Sequence, residues 1–285
     1  MTEPGTYVEY ISAITADPED DELRLRFAGF MRPYDEPLAR FVELQIARAR
    51  RRRSERSSYG LAAEEEGLLK RHRLSWGHTM AKYTGAFEFY RGLIEYISID
   101  PYLFLEYGDW LMKNAPIRNV NFFRPDEGGF PLTEVLDSPL LDRLDSIGFY
   151  NVGFTDRDIE LMAGSAHLTR CVWLDLTGNP IGLPAFTALA ASPRTRGLLC
   201  VERAEGAREH YFPGDLWQVT DRDDRWGAPI WDWGPLPPEG QALEQKYGYL
   251  PWLHPKDNGC DRFDARWFFD HGVLPVKPAG SPVGP

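Results

Sequence analysis

The chain has 285 residues, of which 43% are hydrophobic and 26% charged, and a formal net charge of −11. This is the composition of an ordinary globular protein, long enough for one large or two modest domains. Residues 1–91 carry 15 basic and 15 acidic groups, residues 92–204 carry 9 and 15, and residues 205–285 carry 8 and 13, which argues against a nucleic-acid backbone as partner of the acidic part.

Helices are predicted first. Val8 and Ile11 give Tyr7 to Thr15 helical spacing. Asp17-Pro18 reads as an N-cap with proline at the first helical position of a second helix, its opening turn loaded with acids and its inner face lined by Leu23, Phe27 and Phe30. A third helix begins near Pro37, with Leu38, Phe41, Val42, Gln45 and Ile46 as its inner stripe. Six arginines then lie between Arg48 and Arg56. Contact with nucleic acid or an acidic surface is one reading; a solvated helix C-terminus is the other, favoured by the neutrality of the region. "SERSSYG" reads as the stop, and Leu61 to His72 resumes a helix whose Glu64, Glu65 and Glu66 can pair with the arginines.

Asp17-Pro18-Glu19-Asp20-Asp21, Arg24-Leu25-Arg26-Phe27-Ala28, Phe41-Val42-Glu43-Leu44-Gln45 and the later "FEFYRGLIEYISID" at Phe87 to Asp100 follow a recognisable pattern. It resembles the bacterial repeat-companion domain, a short helical module ahead of leucine-rich-like repeats. Phe30 and Arg40 depart from that pattern, where Trp and Glu are usual. The resemblance implies a companion-plus-repeat layout and no activity.

From Ile117 to about Val201 the chain repeats every 27 residues. Val120, Ile147 and Leu174 keep that period, each followed two positions later by Phe122, Phe149 and Leu176, and so do Ser138, Ser165 and Ser192. Alternate apolar residues mark a strand with one buried face. Thr155 to Ala163 and Leu183 to Ala191 read as return helices facing inward through Ile159, Met162, Phe186, Leu189 and Ala190. The best-formed unit, Leu168 to Ile181, resembles a leucine-rich repeat, including Asn179; Val152 and Pro125 stand at the equivalent places, so no asparagine ladder is expected. Ile97 and Ile99 read as a still earlier strand. The expected fold is α/β: residues 1–91 a helical companion domain, 92–204 a short leucine-rich-repeat-like solenoid of parallel strands and return helices, and 205–285 an irregular Trp/Pro-rich cap and tail.

Alternation turns the neighbours of the buried strand residues outward, in three rows: Asn119, Ser146, Trp173; Asn121, Gly148, Asp175; Phe123, Tyr150, Thr177. Trp173, Asp175, Tyr150, Phe123 and Asn121 are the candidate protein-binding residues, the aromatics as anchors. The alternative is that flanking sequence covers this face and makes the aromatics core.

Residues 205–285 hold 11 of the 23 prolines and 6 of the 9 tryptophans. One helix is expected there, Pro238 to Tyr247, stopped by Gly248. Cys260 with His254 or His271 is the only nucleophile–base candidate, at no recognised spacing. Cys171, Cys200 and Cys260 show no CxxC or metal-ligand spacing, and no signal segment or membrane span is visible. The sequence reading is a non-enzymatic, cytoplasmic scaffold or adaptor that binds a protein through the concave face or the cap, as a monomer or within a hetero-complex, without cofactor, metal or nucleic acid. A permanently bound accessory subunit of a larger bacterial assembly is the alternative.

Overall fold

Capping residues set the boundaries of the first elements in the computed structural model, which describes residues 4–50, 57–125, 127–202, 219–223, 229–233, 236 and 238–254. Helix α1, Tyr7–Ala16, starts at Thr6, whose hydroxyl accepts from Glu9 N while the Glu9 carboxylate accepts from Thr6 N. Helix α2, Asp21–Met31, is capped by Asp20 and not by Asp17. The reason is local: the Asp17 amide donates to Ala13 and closes α1, leaving Pro18 in the link. Helix α3, Glu36–Ala49, is capped by Asp35, and buries Leu38, Phe41, Val42 and Ile46 as the stripe requires. Helix α4, Ser57–Trp76, begins inside the stretch expected to be a stop.

Strands β1, Ala86–Tyr90, and β2, Leu93–Ile99, form an antiparallel hairpin. Arg91 and Gly92 have φ of 45° and 90°, the positive pair that a tight hairpin turn needs. A strand through Ile97 and Ile99 was expected, but its antiparallel partner was not. Helix α5, Pro101–Asn114, follows behind an Asp100 cap.

Among the described residues two compact units divide at Val120/Asn121, so the first takes in the hairpin and α5 as well as the helices before residue 91. Its most buried polar group is Arg24, fully enclosed on α2. Its guanidinium donates to the Pro18, Tyr90 and Arg91 carbonyls and, at 2.5 Å, to the Glu95 carboxylate. One side chain thus ties the α1–α2 link to the hairpin turn and to β2. Burial pushes the Glu95 carboxyl above its ordinary range, against the pull of Arg24, Arg118 and Arg91. Glu19 accepts from Arg118 at 2.9 Å and Arg91 at 2.8 Å. Burial opposes its ionisation, yet these two cations hold its carboxyl below the ordinary range. Gln45 on α3 accepts from the Gly92 amide at 2.6 Å. Groups from the α1–α2 link, α2, α3 and β2 therefore meet at one hairpin turn.

The second unit opens within β3, Asn119–Phe122, and continues through α6, Leu132–Leu136; β4, Ser146–Gly148; α7, Asp156–Ala163; β5, Trp173–Asp175; α8, Leu183–Ala191; and β6, Cys200–Glu202. Strand order within this unit is β3-β4-β5-β6. β4 pairs with β5 and β5 with β6 in parallel, placing Ile147 beside Leu174 and Leu174 beside Val201. The fold is mixed α/β with a mostly parallel sheet. Phe122, Ile147, Phe149, Leu174 and Leu176 are buried, and the Phe122 and Phe149 rings stack 5.4 Å apart. Both return helices have the residues expected, with Ile159, Met162, Phe186, Leu189 and Ala190 inside.

The period is visible in polar chemistry too. Ser138, Ser165 and Ser192 each accept, through the hydroxyl, from the amide two residues on. Ser165 and Ser192 also donate to the Leu136 and Ala163 carbonyls, which end α6 and α7, in each case the helix one repeat earlier. Asn179 is buried and satisfies two successive turns. Its amide donates to Phe149 at 2.6 Å and Leu176 at 2.9 Å, and its oxygen accepts from Gly153 at 3.0 Å and Phe154 at 2.9 Å. Val152 and Pro125, at the equivalent places, are buried instead.

The segment expected to be irregular contains an antiparallel pair, β7, Val219–Asp223, and β8, Pro229–Trp233, followed by α9, Pro238–Tyr247, which Gly248 ends at φ 86°. Trp252 is buried and stacks on Phe186 at 6.0 Å.

Candidate functional site

The three outward rows are not equally open. Trp173 is only 6% exposed, whereas Tyr150 is 55% and Phe123 37% exposed. The large aromatic surface presented to solvent is therefore Tyr150 and Phe123. Asn119 and Thr177 are buried, and Ser146, Asn121 and Asp175 are half-buried. Gly148 is buried beneath Asn121, whose amide carbon would lie 3.2 Å from any Cβ added there. That glycine lets the Asn121 side chain lie flat across the strand. Asp175 accepts from the Thr177 amide at 2.8 Å. Burial pushes its carboxyl up, the Thr177 bonds pull it back, and the balance is a raised value; among the described residues it has no ion-pair partner.

Backbone geometry holds these groups in place. The Phe149 amide donates to the Asp175 carbonyl and the Asn151 amide to the Thr177 carbonyl, carrying the lateral pairing beyond β4 and β5. Asn151 and Gly178 then turn the chain away at φ 51° and 75°. Tyr150 and Phe123 thus occupy equivalent places, one period of 27 apart, where successive strands leave the sheet.

The other chemical candidates resolve differently. Arg48 pairs with Glu65, and Arg50 pairs with Asp21 at 2.9 Å and Glu22 at 2.8 Å, so these members of the arginine cluster are spent within the chain; Arg51 to Arg56 lie outside the described residues. His254 contacts the Glu244 carboxylate at 2.7 Å and stacks on Tyr249. Cys260 and His271 lie outside the described residues, as do Trp217, Trp226 and Trp267. Cys171 is fully enclosed; burial pushes its thiol up to about 12, which removes it as a nucleophile. His167 pairs with Asp142 at 2.7 Å. Among the described residues no three His, Cys, Asp or Glu side chains converge as a metal site, and no helix is long and apolar enough to cross a membrane.

Sequence reasoning missed the Arg24–Glu95 pair, which joins residues 71 positions apart. For Trp173 the structure agrees with the alternative, a covered face, while Tyr150 and Phe123 stay open; alternation states which side of a strand a residue faces and not what covers that side. Comparison with protein-family models, with curated proteins and with solved structures gives no match for this chain.

Proposed function

We propose that this chain is a non-enzymatic adaptor: a short leucine-rich-like solenoid behind a helical companion module, working in the cytoplasm and binding a protein partner. The observation that carries the reading is the exposed pair Phe123 and Tyr150, at equivalent positions of successive units. Large aromatics held in place by a rigid sheet are typical anchors of protein interfaces, whereas isolated apolar residues elsewhere on a surface are ordinary. Asn121 and Asp175 supply polar groups beside them. Trp173 belongs to the support of this surface and is a poor probe of binding, because deleting a buried indole costs about 3–5 kcal/mol of stability.

The test is a Phe123→Ser/Tyr150→Ser double variant, immobilised beside the wild-type chain and exposed to extract from the native cell, with retained proteins identified by mass spectrometry. A specific partner should be held at least about tenfold less by the variant, while each exposed change shifts stability by no more than about 0.5 kcal/mol. Equal retention by both chains would refute the assignment of this surface.

A permanently bound accessory subunit is the second reading, favoured by one observation. Tyr102, Leu105 and Trp110 on α5 are 47%, 37% and 40% exposed, an apolar display that suits a lasting interface. A well-behaved monomer in solution supports the adaptor; obligate co-purification supports the subunit.

A further inference from the structure

The first unit contains a cavity of about 340 Å³. It is partly open to solvent, and its volume falls at the low end of the range of small-molecule sites. Its walls are apolar side chains from several elements: Leu38 of α3, Trp76 of α4, Met80, Phe89 of β1, and Leu93 and Ile94 of β2. Tyr7 and Thr79 line it as well and are exposed, so they mark the mouth, and Asn114 at the end of α5 adds a half-buried carboxamide.

Three features hold the space open. Gly92 cannot move closer to α3, because even a Cβ added there would lie 2.6 Å from the Val42 α-carbon, and its φ is 90°. Trp76 is fixed by donating to Asp35 at 2.9 Å and by packing 5.0 Å from Phe41. Asn114 is anchored by donating to the Trp110 carbonyl at 2.8 Å.

The lining also selects. In a chain with 75 Asp, Glu, Lys and Arg residues, none of the described residues lining this cavity is an acid or a base. Desolvating a charged group there would go uncompensated. An apolar body fits against Trp76 and Phe89, and one hydrogen-bonding group can meet Thr79 or Asn114. At about 30 Å³ for each water-sized group, the volume suits a body of about ten non-hydrogen atoms.

We propose that the first unit binds a small neutral aromatic molecule carrying one hydrogen-bonding group. This site is separate from the proposed protein-binding surface, and neither stands or falls with the other. The test uses the full chain and indole as the probe, followed by saturation-transfer NMR titration, with indole-3-acetate and tryptamine as charged comparators. Indole should bind saturably, with a dissociation constant on the order of 1 mM or tighter, and both charged comparators should bind at least about tenfold more weakly. Thr79→Trp, at the exposed rim, should weaken indole binding at least about tenfold by blocking the mouth. Ala115→Val, on the buried wall, should weaken it in the same direction and decides the matter if the first variant fails to fold. No saturable binding of indole, equal binding by these variants, or equal binding of the charged comparators would overturn the proposal.

Discussion

At Gly92 and Gly153 the same backbone requirement meets different surroundings. Both have strongly positive φ, 90° and 84°. A Cβ at Gly92 would lie 2.6 Å from the Val42 α-carbon, but at Gly153 nothing is within 4 Å. Gly153→Ala should therefore cost only the left-handed penalty, about 1–2 kcal/mol, while Gly92→Ala adds a backbone collision and should cost several times as much. Urea unfolding of the two variants checks the order; equal losses would mean that the hairpin turn does not press on α3. Cys171 gives a prediction in pH. Its thiol, ordinarily near 9, is pushed by burial to about 12 in the folded chain. The folded state resists deprotonation, so this group's contribution is complete below about pH 9 and is lost as the pH rises from there toward about 12. Cys171→Ala should flatten that alkaline loss. At pH 8 a thiol reagent should spare Cys171 until urea is added; rapid native labelling would contradict its enclosure.

Elements follow the same logic one level up. Helix spacing placed α1, α3, α7 and α8 well, because a 3.6-residue stripe is a strong local signal. It misplaced the start of α2 because two aspartates, Asp17 and Asp20, compete as caps, and only the first is already committed to ending α1. β1 was missed since Phe87, Phe89 and Tyr90 carry an aromatic pattern that a helix can share, and β7 and β8 lay in a proline-dense stretch. The parallel pairing of β4, β5 and β6 was legible from the 27-residue spacing of Ile147, Leu174 and Val201. What secures them was only partly so: Ser165 and Ser192 could be seen as periodic, but their bonds to Leu136 and Ala163 could not. Asn179 tests that joint directly. Asn179→Ala strands the Phe154 amide and the Phe149 carbonyl in a buried turn and releases the exposed Gly153 amide to solvent. At about 1–3 kcal/mol for each buried group left unsatisfied, the expected loss is at least about 2 kcal/mol in chemical unfolding. A loss under about 1 kcal/mol would mean that the turns hold each other without it.

For the whole molecule, the central claim is that successive stretches of 27 residues lie side by side and share backbone bonds, so that exposed residues one period apart form a common surface. The second unit shows this from β4 to β6, and the binding role proposed for Phe123 and Tyr150 depends on it. The sequence left open whether the outward row at Trp173 is covered, since that depends on tertiary cover and not on strand alternation; the structure buries Trp173. Residue-resolved amide hydrogen exchange is the most direct test. The amides of Phe149, Asn151, Val172 and Leu199 all donate to a neighbouring unit, to Asp175, Thr177, Asp145 and Val172 in turn. They should exchange slowly, as one cooperative block, and Asn179→Ala should speed all of them together. Fast, independent exchange at these four amides, with the helices α7 and α8 still protected, would contradict the account.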